Sequence, residues 1–96
     1  MATGSGLEQL VNEYLAFRRR LGYQLLVAGK ELRLFARYAE RVGHRGPLTT
    51  ELAVRWAQSS RTTSPYYRAN RYELVRRFAR YGSLFDSRTE LPPRQL

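Results

Sequence analysis

Lys30, Arg33, Arg37 and Arg41 recur every three or four residues, the spacing that gathers side chains on one face of an α-helix. At about 100° per residue they fall within about 80° of one another, with Glu40 beside Arg33 at the edge of the stripe. Further along, Arg76, Arg77 and Arg80 point away from an apolar stripe centred on Leu74 and Phe78, with Arg68 upstream of them. Arg18-Arg19-Arg20 form an unbroken basic triplet. Guanidinium forks hold phosphate oxygens in pairs and keep their charge at any physiological pH. The chemistry on offer is therefore polyanion binding. Sixteen of the seventeen basic residues are arginine, and against eight acidic residues they leave a net charge of +9. The sequence pI near 10.8 is that of nucleic-acid-binding domains. The plainer alternative is a soluble, arginine-biased surface.

Groups for catalysis or metal binding are sparse. The eight acidic residues are scattered without the local context of a catalytic pair. A single histidine, His44, sits in a turn next to Gly46-Pro47, and with no cysteine a metal site is not expected. No cofactor is expected, because no glycine-rich phosphate loop follows a strand. Disulfides are excluded, and no apolar run approaches the ~18 residues that span a membrane. Residues 1–6 lack the basic and apolar regions of a signal peptide and read as a flexible native end or a cloning remnant. A cytoplasmic protein is the default expectation.

The elements that must position these arginines all read as helices. The tetrapeptide Phe-Ala-Arg-Tyr occurs twice, at 35–38 and 78–81, each time with a core-facing stripe backed by arginine. The spacing predicts a first helix over 7–21 with Leu7, Leu10, Val11, Tyr14, Phe17 and Leu21 inward, stopped by Gly22. A second is predicted over about 24–42 with Leu25, Ala28, Leu32, Phe35, Ala39 and Val42 inward, ending at Gly43. Gly29 inside it suggests close packing or a late start.

After the Gly46-Pro47 breaker, Thr49 or Thr50 caps a short helix over about 51–58 that buries Leu52, Ala53, Trp56 and Ala57. Residues 61–64 read as a polar loop. Ser64-Pro65 then opens a fourth helix to about Leu84, with Tyr67, Leu74, Val75, Phe78 and Tyr81 inward. Arg71 flanks that core and is expected to find a structural partner, while Tyr66 and Tyr72 lie off it and could donate to phosphate. No period-two pattern marks a strand, so the fold class is all-α, one domain of four helices over 7–85 with a polar extended segment over 86–96.

The order of these features resembles the N-terminal, SAM-like core-binding domain of the tyrosine recombinase or phage integrase family. The resemblance covers residues 7–93. It rests on Tyr14-Leu15-Ala16-Phe17-Arg18-Arg19-Arg20-Leu21-Gly22-Tyr23, then Leu32-Arg33-Leu34-Phe35-Ala36-Arg37-Tyr38, then residues 48–57 around Trp56. Residues 71–81 and the polar segment 86–93 complete it. It implies a compact bundle of four or five helices forming half of a clamp around double-stranded DNA, with the second and fourth helices against the major groove and phosphates. It also implies a separate catalytic domain of the same parent protein, with sister recombinase subunits on the DNA. That domain would begin beyond Leu96, and the family's HxxR element is missing, because Pro47 stands at the third position after His44. None of the seven tyrosines is read as a nucleophile, and the fragment itself is not expected to be an enzyme. Where the family's fourth helix often opens with small polar residues, this chain has Tyr66-Tyr67.

Arg19, Arg20, Lys30, Arg33, Arg37, Arg68, Arg76 and Arg80 are accordingly expected to contact phosphate, with Arg41 and Arg77 secondary. The rival expectation is a small helical interaction module whose basic face meets an acidic protein partner, marked by an exposed apolar patch alongside the arginines. A short helix-turn-helix regulator is a third, allowed only loosely by the segment after residue 51.

Overall fold

The computed structural model describes residues 6–59 and 64–94, and among them it contains four α-helices and no strand. The all-α expectation stands. The chain divides into two units, Met1–Gly46 and Pro47–Leu96, each holding one pair of helices.

The first unit is an αα-hairpin of α1 (Gly6–Arg20) and α2 (Leu26–Arg41). The start of α1 meets the end of α2, where Gly6 and Leu7 lie beside Glu40, Gly43 and His44. Both helices end by the same device. Gly22 and Gly43 take positive φ, 99° and 76°, which a side chain would strain. Two backbone bonds then close each end: Tyr23 N to Arg18 O and Gly22 N to Arg19 O, and likewise His44 N to Ala39 O and Gly43 N to Glu40 O. Leu7, Val11, Tyr14 and Leu15 of α1 are buried, as are Leu32, Phe35, Ala36 and Ala39 of α2.

Several expected core positions lie outside. Phe17, Leu21 and Val42 are exposed, and Leu10, Leu25 and Ala28 are only half-buried. All but Leu10 and Phe17 sit at or next to helix ends, where the apolar stripe runs past the element that covers it. Leu15, absent from the expected stripe, is buried. The second helix starts later than its periodicity suggests, because Leu25 takes the left-handed conformation (φ 53°) at the N-cap.

The second unit pairs α3 (Thr50–Ala57) with α4 (Pro65–Ser83). Thr49 caps α3 by accepting a bond from Leu52 N at 3.2 Å, and Ser64 caps α4 by accepting one from Tyr67 N at 3.2 Å, with Pro65 following it. The four residues expected inward on α3 (Leu52, Ala53, Trp56 and Ala57) are all buried, together with Leu48, Val75, Phe78 and Ala79. Tyr67, Leu74 and Tyr81 are less enclosed than expected, whereas Arg71 is buried. Residues 61–63 of the expected loop lie outside the described residues.

After α4 the described chain forms no further helix and is tied back onto its own unit. Glu90 N donates to Leu48 O at 3.0 Å, and the Glu90 carboxylate accepts from Thr50 N at 2.8 Å, so α3 has a second cap supplied from the far end of the chain. Pro92 is buried. The Tyr72 hydroxyl donates to Pro93 O, so this ring is engaged by its own chain instead of facing outward for an anion.

The two Phe-Ala-Arg-Tyr copies adopt one pattern. Phe35 and Phe78, and Ala36 and Ala79, are buried, Arg37 and Arg80 are exposed, and Tyr38 and Tyr81 are half-buried.

Candidate nucleic-acid interface

The outward face of α2 follows from its periodicity. With Gly29, Leu32, Phe35, Ala36 and Ala39 turned inward, Lys30, Arg33, Arg37 and Arg41 must point to solvent, and all four are exposed. Among the described residues none of them forms an ion pair, nor do Arg19 and Arg20 at the end of α1. Cations without carboxylate partners keep their full field for an external anion, which is the electrostatic requirement of a phosphate-binding face.

Two of these groups converge. A Cβ placed on Gly29 would stand 3.4 Å from Arg19 Nη2 and 3.6 Å from Arg33 Nη1, so the two guanidinium nitrogens lie within about 7 Å of one another over the bare glycine. The Nε of Arg19 donates to Gln24 O at 3.2 Å, which fixes that fork while leaving its outer nitrogens open. A like-charged pair at this separation is repulsive and is relieved by an anion between them. Arg18, by contrast, is folded into the corner: its guanidinium lies 4.3 Å from the Tyr23 ring centroid and its Nε is enclosed. The basic triplet thus divides into one packing residue and two that face solvent. Arg41 lies 5.7 Å from the Tyr38 ring centroid and remains exposed.

The second unit handles its arginines differently. Arg76 and Arg77 share one carboxylate, with Arg76 Nε 3.2 Å from one oxygen of Glu73 and Arg77 Nε 3.1 Å from the other. The side chain of Arg76 is only 13% exposed, so it does not point away from the core as its wheel position suggests. The Glu73 spacing of three and four residues was a readable signal for this pairing. Arg71 is 7% exposed, with its guanidinium 3.8 Å from the Trp56 ring centroid and Nη1 donating to Trp56 O at 3.3 Å. It is the structural residue the sequence pointed to. Arg80 is exposed and Arg68 half-buried. Of the eight expected phosphate contacts, Arg19, Lys30, Arg33 and Arg37 therefore share one neighbourhood, with Arg20 beside it in the sequence, while Arg68, Arg76 and Arg80 lie on α4.

Sequence reasoning missed the apolar residues among these cations. Leu26 and Val27 are 73% and 75% exposed, and Leu34 is partly so. Their places off the apolar stripe were the available signal. Among the described residues, no helix is long and apolar enough to cross a membrane.

Among the described residues the chain is all-α, and the outward face of α2 carries cations that form no ion pair. Two proteins of Sinorhizobium fredii (strain NBRC 101917 / NGR234) share its sequence over most of its length. "Putative integrase/recombinase y4rB" is 40% identical over 89 residues, which is 93% of this chain and 28% of that protein. Its counterpart y4rE, of the same designation, is 33% identical over 84 residues, 88% of this chain and 27% of that protein. The chain spans little more than a quarter of the length of these curated relatives. No family model and no solved structure matches it. The resemblance to the integrase family is borne out by these homologues.

Proposed function

We propose that the chain is the DNA-binding, core-binding module of a site-specific tyrosine recombinase or integrase. It grips duplex DNA through its phosphates, as one half of a clamp, while a catalytic domain of the same parent protein cuts and rejoins the strands in the cytoplasm. The observation that carries this reading is the outward face of α2, where Lys30, Arg33 and Arg37 stand with Arg19 of α1 and make no ion pair among the described residues. Homology to integrase/recombinase proteins supplies the biological setting. Backbone phosphates position a protein without reading sequence, so binding by this face alone is sequence-tolerant and steeply salt-dependent.

The test is fluorescence anisotropy of a labelled duplex of arbitrary sequence, titrated with the chain at several salt concentrations. Affinity that falls linearly with log salt supports the reading, and absence of binding at low salt refutes it for this chain. A second reading is favoured by one observation: Leu26, Val27 and Leu34 provide an exposed apolar component beside the cations, as an acidic protein partner would require. Under that reading, DNA affinity vanishes at moderate salt while an acidic amphipathic peptide still binds.

A further inference from the structure

The outward face of α2 is not simply basic. At about 100° per residue, Leu26, Arg37, Lys30, Arg41, Leu34 and Val27 follow one another across about 100° of the helix surface. Aliphatic and cationic side chains therefore interleave. Leu26 and Val27, in the first turn, are 73% and 75% exposed, and the cations between them have no carboxylate partner among the described residues. The unpaired positive charge calls for an anionic partner. The aliphatic groups set among those charges call for a partner that also presents apolar atoms between its own.

A DNA duplex meets both demands in one place. The major groove, about 12 Å wide, admits an α-helix, its rims are phosphate, and the one apolar group on any base edge there is the C5 methyl of thymine. Resting on the DNA-binding reading above, we propose that Leu26 and Val27 read thymine: the first turn of α2 packs against thymine methyl groups while Lys30, Arg37 and Arg41 hold the flanking phosphates. The two side chains carry no donor or acceptor. Placed over cytosine they would strand its N4 amino group from water without replacing the lost hydrogen bonds, so the same contact disfavours C. The module then has a modest base preference on top of sequence-tolerant phosphate binding.

Two A·T-rich duplexes of identical sequence test this, one with thymine and one with deoxyuridine at every thymine position, so that only the methyl groups differ. Wild-type chain and a Leu26→Ser/Val27→Ser variant are titrated against both by anisotropy, with helicity checked by circular dichroism. The wild type is expected to prefer the thymine duplex by roughly fourfold for each methyl group buried. The variant is expected to bind both duplexes equally, with the salt dependence of the wild type, because its cations are intact. Equal binding of the two duplexes by the wild type overturns the inference and leaves the phosphate-binding reading standing. A thymine preference that survives in the variant also overturns it, by placing the reader elsewhere. Failure to bind either duplex removes both readings, and binding of an acidic amphipathic peptide through Leu26 and Val27 would then assign the patch to a protein partner.

Discussion

Neutralising Arg33 and Arg37 together puts the α2 face to a quantitative test. Both side chains are exposed, one helical turn apart, and neither is held by a carboxylate among the described residues. Each phosphate neutralised by a cation contributes about −0.9 to the slope of log K against log salt on duplex DNA. An Arg33→Gln/Arg37→Gln variant should therefore show a slope shallower by about 1.8 if each residue holds one phosphate. Between 50 and 200 mM salt, the wild type should lose about tenfold more affinity than the variant. The loss should be alike on unrelated sequences, since the contacts are to the backbone.

Arg77→Gln is the internal control. Arg77 already donates to Glu73 at 3.1 Å, so its removal should change the slope by roughly half a unit at most. Replacing Arg33 and Arg37 by lysine should keep the slope and lose affinity through the missing bidentate geometry. The assay is anisotropy of a labelled duplex across a salt series. A slope unchanged in the glutamine variant refutes the assignment of α2 as the contact surface.

Four further outcomes are expected. Glu73→Gln frees Arg76 and Arg77 and should tighten DNA binding by roughly two- to fivefold if α4 lies near phosphate, whereas no change in an affinity titration would place α4 away from the duplex. Arg71→Ala removes a buried guanidinium from the face of Trp56 and should cost roughly 2–4 kcal/mol in urea unfolding, with a change in emission of this sole tryptophan. Gly29→Ala meets only ordinary contacts, the nearest at 3.4 Å, and should raise stability by roughly 0.5–1 kcal/mol in the same assay. Burial pushes the Tyr72 phenol above its ordinary pKa of 10.0, so the stability of its bond to Pro93 is fully present below pH 10 and is lost as pH rises through the folded value. Tyr72→Phe should remove that alkaline dependence.

Much of this architecture was legible in the residues because it depends on local rules. Glycines 22 and 43 stop helices since only they tolerate the left-handed turn, and Thr49 and Ser64-Pro65 start helices since their side chains or ring suit the first turn. The duplicated Phe-Ala-Arg-Tyr segments kept their burial pattern, since three residues of each fix which side of the helix is apolar. What was not legible depends on how far a covering element extends. Leu21 and Val42 are apolar and in phase, yet exposed, because a wheel gives direction and not the length of the neighbour.

The candidate interface divided along the same line. The outward direction of Lys30, Arg33 and Arg37 followed from phase alone, whereas the convergence of Arg19 and Arg33 over Gly29 needed the hairpin to bring two helices together. Arg76 stands outward on the wheel, yet its side chain is only 13% exposed and pairs with Glu73, which phase alone does not show. The Glu90 cap of α3 crosses forty residues of sequence, and no local pattern announces it.

The most direct measurement is an amide NMR titration of the chain with a generic duplex of about 20 base pairs, first at low and then at physiological salt. Phosphate binding by the α2 face predicts shifts concentrated on the exposed positions of α2 and the end of α1, around Arg19, Leu26, Lys30, Arg33 and Arg37, and fading as salt rises. Shifts absent at low salt, or confined to α3 and α4 with the α2 amides unmoved, would contradict it.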